Sequence, residues 1–302
     1  MNGIINIYKE SGFTSHDVVA KLRGILHQKK IGHTGTLDPA AEGVLPVCCG
    51  KATKVCDLLI DKDKSYHVVC RLGVETDTQD MTGTILREYK IDGITEKDIL
   101  NCTKQFRGDI LQIPPMYSAL KINGKKLYQL ARQGKTVERK PRHIIIHSIE
   151  VTDINLKESV FSMDITCSKG TYIRTLCHDI GKMLGVAAAM EKLIRTRVSI
   201  FKIEDAITLS TVQQIAEKNL DSLNKLFMSP DKLFPEYCKF QIKDKFRTSL
   251  FNGNKLSEEM IYPLTKDREP KYGDKILIYD DNGVFKAVYE REAKGYKVNK
   301  MF

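Results

Sequence analysis

An aspartate held between glycines and followed by proline is a good place to keep a reactive carboxylate, and the segment IGHTGTLDPAAEGVLPVCCGKATK, residues 31–54, has one at Asp38. Glycines at 32, 35, 43 and 50 and prolines at 39 and 46 mark the stretch as a built loop. Pro39 biases Asp38 toward extended backbone angles, so its side chain projects from the loop edge. An ionised carboxylate there can act as a nucleophile or a general base. In isolation, an Asp before Pro is as often a turn carboxylate bonding backbone amides two residues on. The neighbours His33, Thr34 and Thr36, and complementary groups further along the chain, favour the chemical reading.

Those groups are a cation and two rings. SKGTYIRT, residues 168–175, ends a strand, turns through Gly170 and sets Tyr172 and Arg174 on the same side of an extended segment. Arg174 can pair with an ionised carboxylate and lower its pKa, which suits a group working charged at neutral pH; the plainer alternative is a solvated or phosphate-binding arginine. Tyr66, in the strand-like run SYHVVCRLGV at 65–74, offers a ring on which an unstacked base can lie, although core packing is the commoner role for an aromatic in a strand.

The elements that must position these residues follow from hydrophobic spacing. GIINIY at 3–8 reads as a short strand, broken by Lys9 to Gly12. Ser15 is the expected N-cap of a helix whose Val18, Val19, Leu22 and Leu26 share one face. Strands are expected at RHIIIHSIEV and VFSMDITCS, then a helical pattern through IRTLCHDIGKML and another helix over 207–227. Strands and helices in this order, without repeated strand–helix units, predict a mixed α/β (α+β) fold. Pro230 and Pro235 precede a domain boundary placed near 236, so residues 1–236 form a catalytic-size domain and 237–302 a small β-domain, with DDNG at 280–283 as a hairpin turn.

Charge narrows the class of partner. The chain of 302 residues carries a formal charge of +10 and a pI near 9.1, which favours polyanions through counterion release. Residues 121–142 hold eight Lys or Arg against the single acid Glu138, a segment suited to clamping a nucleic-acid backbone or, more blandly, to a solvated surface. Eight cysteines form no C-x-x-C pair and no zinc-ligand spacing with histidine, so reduced, mostly buried thiols and no metal are expected. No apolar run reaches the roughly 20 residues needed to span a bilayer, and MNGIINIYKE lacks a signal-peptide pattern; a soluble cytoplasmic protein is expected.

GHTGTLDPAAEGVLPVCCGKATK resembles the defining motif of TruB-type pseudouridine synthases. SYHVVCRLGVETDTQDMTG, GDILQIPPMYSALKINGKKLYQLARQGK and CSKGTYIRTLCHDIG resemble the family's remaining blocks in order, so the likeness covers most of residues 1–200. It implies a catalytic domain built on a largely antiparallel sheet with flanking helices. More loosely, through GDKILIYDDNG, it implies a C-terminal PUA-like RNA-binding β-barrel. It implies a cofactor-free isomerase acting on one uridine in the T-loop of tRNA, working as a monomer without a protein partner. By the same resemblance Asp38 is the catalytic residue, Arg174 pairs with it, and Tyr66 stacks on the flipped uracil and helps remove its C5 proton. His33 holds the RNA after flipping, while Tyr172 and Leu193 line the pocket. Lys9, Lys125, Lys126 and Arg132 complete the expected substrate-binding set.

Two rival readings differ in class. A non-catalytic RNA-binding or RNA-folding protein needs the charge pattern but not the set Asp38, Tyr66 and Arg174. A metal-dependent nuclease would draw on Asp38, Asp77 and Asp80, yet Asp77 and Asp80 lie in a hydrophilic turn and no His or Glu completes a metal shell.

Overall fold

The computed structural model describes residues 1–264 and 268–302. In chain order its strands and helices are β1 (Gly3–Lys9), α1 (Ser15–Ile25), β2 (Ile31–His33), β3 (Glu42–Cys49), α2 (Cys56–Ile60), β4 (Lys64–Leu72), β5 (Val74–Thr76), β6 (Ile85–Glu88), α3 (Glu96–Lys104), β7 (Gly108–Gln112), β8 (Lys121–Ile122), β9 (Lys125–Lys126), α4 (Leu127–Ala131), β10 (Arg142–Asn155), β11 (Val160–Cys167), α5 (Ile173–Met183), β12 (Ala188–Val198) and β13 (Phe201–Lys202). There follow α6 (Leu209–Lys218), α7 (Leu220–Lys225), β14 (Cys238–Ile242), α8 (Arg247–Phe251), β15 (Ile261–Pro263), β16 (Lys275–Tyr279), β17 (Phe285–Arg291) and β18 (Tyr296–Met301).

A sheet in the order β1-β3-β12-β4-β11-β10-β7 forms the frame, with β2 added on β3 and β13 on β12. Its pairings are antiparallel except β3 with β12. The alternation read in 65–74 is realised in β4, where Lys64, Tyr66, Val68, Cys70 and Leu72 are buried and the residues between them are partly exposed, as a period of two requires of a strand with one covered face.

Helix α1 lays Val18, Val19 and Leu22 on Ile5, Ile7, Leu45 and Val47 of β1 and β3. Each such fully buried aliphatic side chain contributes about 1.5–3 kcal/mol of hydrophobic stabilisation. Its cap is Thr14 rather than Ser15: Thr14 Oγ1 accepts from the Asp17 amide and the Asp17 carboxylate accepts from the Thr14 amide, a capping box. Ser15 is buried and bonds Leu37 of the β2–β3 loop instead. Helices α3 and α5 cover β4 and β11 through Ile99, Cys102, Leu176, Cys177 and Ile180. The helix expected over 207–227 is two helices, because Asn219 takes extended angles (φ −160°, ψ 114°) and its side chain caps α7.

The C-terminal strands form a second sheet, β15-β14-β16-β17-β18, with the expected hairpin turn at Asp280–Gly283 between β16 and β17. The sheet is open, compatible with a small barrel-like β-domain. Leu277, Tyr279, Phe285, Val288 and Phe302 pack against Ile4, Val44, Cys48 and Val198 of the first sheet and Val55 of the 3-10 turn that follows β3. Among the described residues, no helix is long and apolar enough to cross a membrane.

Candidate active site

Asp38 stands at the tip of the β2–β3 loop, and that loop is held from beneath by the β1–α1 connection. The buried Ser15 hydroxyl accepts from the Leu37 amide at 2.9 Å and donates to the Leu37 carbonyl at 3.4 Å. Gly12 N–H and Lys9 Nζ both donate to the Pro39 carbonyl, at 3.0 and 3.1 Å. Thr34, fully buried, donates from its amide and hydroxyl to Pro46. Lys9, expected from the sequence among the substrate-binding residues, is a buried brace of this loop with no exposed surface in this structure. Burial pulls its pKa down to about 8, against the raising effect of Glu42 and Asp38. A lysine at the end of a strand next to a Gly-Pro loop reads as solvated until the loop folds over it.

Arg174 meets Asp38 at 3.0 Å (Nε to Oδ2) and Asp80 at 3.3 Å (Nη1 to Oδ2). Its remaining donors go to the carbonyls of Thr78 (3.1 Å) and Tyr117 (2.9 Å). The guanidinium is 7% exposed, so its charge is desolvated and repaid by two carboxylates and two carbonyls. Arg174 and Tyr172 do not share an extended segment: Tyr172 is the N-cap of α5 and Arg174 lies in its first turn. A helix there aims the arginine inward, where an extended strand would alternate it with its neighbours.

The carboxyl of Asp38 keeps 41% of its side-chain surface accessible. Partial burial pushes its pKa above the ordinary 3.8, opposed by Arg174, raised further by Asp80 and opposed by Lys9. The arginine lowers the value as expected from the sequence, yet desolvation outweighs it. The guanidinium occupies the space between Asp38 and Asp80, so those two carboxylates face a cation of the chain itself. Asp80 also accepts from Thr78 and Thr82 hydroxyls and Asp77 from the Thr84 amide; both carboxylates shape the β5–β6 turn.

Tyr66 and Leu193 sit on adjacent strands β4 and β12 and share one apolar cluster with Leu37. The Tyr66 phenol is raised to about 12, chiefly by burial, and stays protonated at neutral pH; Arg195 beside it acts in the opposite sense. His33, at the end of β2, packs edge-on to His16 at 5.3 Å, and its Nδ1 accepts from the Gly35 amide. Burial, followed by the charges of His16 and Arg195, lowers its pKa, which favours the neutral imidazole. Tyr172 is half-buried, and burial raises its phenol against the lowering effects of Ser118, Arg142 and Arg174.

Lys125 and Lys126 lie in the β8–β9 hairpin and Arg132 at the C-terminal end of α4, which together form an arm. Lys125 and Arg132 are exposed and Lys126 is half-buried. The ring of Tyr128 lies between Lys126 (5.5 Å) and Arg132 (5.4 Å), an aromatic interleaved with cations as nucleic-acid surfaces use.

Sequence reasoning missed Arg195. It is 1% exposed, donates to the Val44 carbonyl at 2.7 Å and the Gly35 carbonyl at 3.3 Å, and stands opposite Tyr66 across β12 and β4. It ties the Asp38 loop, β3 and Tyr66 together. Its surroundings in sequence, LIRTR, read as a charged surface, and only the strand alternation counted from Leu193 points it inward.

Residues 23–173 match the family model described as TruB family pseudouridylate synthase (N terminal domain), and residues 174–234 match the tRNA pseudouridylate synthase B C-terminal domain. The chain is 50% identical over 310 residues to tRNA pseudouridine synthase B of Lachnoclostridium phytofermentans, covering all of both chains. It is 46% identical over 301 residues to the protein of the same name from Clostridium perfringens strain 13, covering 100% of this chain and 99% of that one. Among solved structures, a Cbf5–Nop10–Gar1 complex superposes with a TM-score of 0.72 at 30% identity, covering 99% of this chain and 83% of the other. An H/ACA RNP bound to a substrate RNA containing 2'-deoxyuridine gives 0.73 at 28%, covering 99% and 84%.

With these matches, a largely antiparallel sheet carrying an aspartate paired with a buried arginine is the frame of a pseudouridine synthase, an isomerase. Within that class the chain belongs to the TruB family.

Proposed function

We propose that the protein isomerises uridine 55 in the T-loop of tRNA to pseudouridine, with Asp38 as the catalytic carboxylate, in the cytoplasm and as a monomer. The observation that carries this reading is the Asp38–Arg174 pair at 3.0 Å, open to solvent on one side and flanked by Tyr66 and Leu193. The reaction breaks the bond from N1 to C1′ and joins C5 to C1′; the C5 proton leaves and N1 gains one, with no net redox change. Asp38 serves this by attacking C1′, by attacking C6, or by taking the C2′ proton, and all three routes need the ionised form.

The target base is stacked in a folded T-loop, so it enters the cleft by flipping, at a cost of a few kcal/mol recovered by stacking and polar contacts. Tyr66 and Leu193 sandwich the ring, Tyr172 lines the pocket, and His33 holds the RNA from which the base came. Arg174 keeps Asp38 charged and aimed. Lys125, Lys126 and Arg132 grip the phosphates of the T-arm, adding affinity without reading sequence, and the C-terminal β-domain, from residue 237 onward, adds RNA surface.

The test is to incubate the purified protein with an unmodified tRNA transcript, without added metal or nucleotide, and to map pseudouridine by carbodiimide-based sequencing. A single signal in the T-loop that vanishes in Asp38→Asn is expected. Tight tRNA binding with no signal would move the reading to an RNA-folding protein, and loss of activity on adding a chelator would revive a metal-dependent one.

A further inference from the structure

We infer that Tyr117 is a positioning residue that couples the basic arm to the Asp38–Arg174 pair. The inference rests on the arm being an RNA-binding surface. Two backbone carbonyls receive the Arg174 fork, Thr78 from the β5–β6 turn and Tyr117 from the segment leading from β7 into the arm. The turn is fixed independently: Met81 and Gln79 exchange backbone hydrogen bonds with Met190 of β12, and the Thr175 hydroxyl of α5 donates to Gln79 at 2.7 Å.

The arm segment has a different attachment. The Tyr117 phenol donates to Asp77 Oδ2 at 3.2 Å, which joins the arm root to the fixed turn. The next residue, Ser118, receives the Tyr128 amide through its carbonyl at 3.1 Å, and Leu120 receives the Leu127 amide at 2.8 Å, so α4 begins on this same segment. Arg132 lies near enough to the phenol for its charge to act on it. One residue therefore meets Arg174 with its carbonyl and the fixed turn with its hydroxyl, and it adjoins Ser118, on which the first turn of α4 is hydrogen-bonded. When phosphates load Arg132 and Lys126, the displacement of the arm reaches Arg174 through Tyr117, and the phenol–Asp77 latch sets where the carbonyl comes to rest.

Tyr117→Phe removes the latch while keeping the ring and the carbonyl. Single-turnover rates with enzyme in excess over a tRNA transcript, and tRNA affinity by filter binding, are measured for wild type, Tyr117→Phe, Asp77→Asn and the double variant. The rate constant is expected to fall about five-fold in Tyr117→Phe, the worth of one ordinary hydrogen bond, with affinity and thermal midpoint unchanged, and the double variant is expected to be no slower than the slower single one. A wild-type rate in Tyr117→Phe, a loss confined to affinity, or losses that multiply in the double variant would each overturn the coupling. If neutralising Lys125, Lys126 and Arg132 leaves affinity intact while Tyr117→Phe still slows the rate, the arm is not the RNA surface and Tyr117 acts within the cleft alone, which also overturns it. Absence of pseudouridine with the wild-type protein is a separate result, one that refutes the tRNA reading itself.

Discussion

Arg174 touches Asp38 and Asp80 with two different nitrogens, Nε at 3.0 Å and Nη1 at 3.3 Å, so the proposed catalytic carboxylate and the turn carboxylate share a single planar cation. Asp80 is itself held by the hydroxyls of Thr78 and Thr82. The geometry of the Asp38 pair is thus inherited in part from the β5–β6 turn.

Arg174→Lys retains the charge and loses the fork. A lysine cannot serve Asp38, Asp80 and the Thr78 and Tyr117 carbonyls at once, and breaking a buried pair of this kind costs about 3 kcal/mol, or roughly 100-fold in rate. Single-turnover pseudouridine formation checks it; a rate near wild type would show that charge alone suffices.

Asp38→Asn should abolish turnover and leave tRNA binding nearly intact, because shape is kept and charge is removed. The wild-type rate should fall on acidification through a pKa above the ordinary 3.8, since burial outweighs Arg174. The stability sign follows from the same shift. With the folded pKa above the unfolded one, ionising Asp38 opposes folding, a penalty absent in acid and developed as pH rises through the raised value. Asp38→Asn should therefore melt no lower than wild type at neutral pH, with any gain shrinking toward pH 3. A variant less stable at pH 7 would mean the ion pair outweighs desolvation.

Neutralising Lys125, Lys126 and Arg132 together should weaken tRNA binding and make log K against log salt shallower by about two to three, at roughly 0.7–0.9 per phosphate contact. Binding titrations between low and moderate salt measure the slope. If it does not change, the phosphates are held elsewhere.

Gly43 has φ +103°, and a Cβ there would lie 2.3 Å from the Arg195 carbonyl, where β3 and β12 run parallel. Gly43→Ala should cost of order 3 kcal/mol, read as a drop in the denaturant midpoint, with catalysis impaired because Arg195 shifts with the strand. A neutral substitution would show that the two strands can part without loss.

The sequence by itself determined the chemistry-bearing loop, the strand at 65–74, the basic arm, the α+β order and the family, because each is written in contiguous residues: glycine and proline punctuation, period-two alternation, clustered charge. It also named Asp38 and Arg174, which the fold pairs, and Tyr66 and Leu193, which it sets in one apolar cluster with Leu37. It did not determine that Lys9 braces Pro39, that Asp80 shares Arg174 with Asp38, that Arg195 is buried behind Tyr66, or that Arg174 begins a helix. Those depend on which surfaces a side chain meets after β12 slots between β3 and β4. A Lys, Asp or Arg is solvated or buried according to partners far away in the chain, and its desolvation is tolerated only where carbonyls and opposite charges converge on it. Tertiary structure alone makes that convergence.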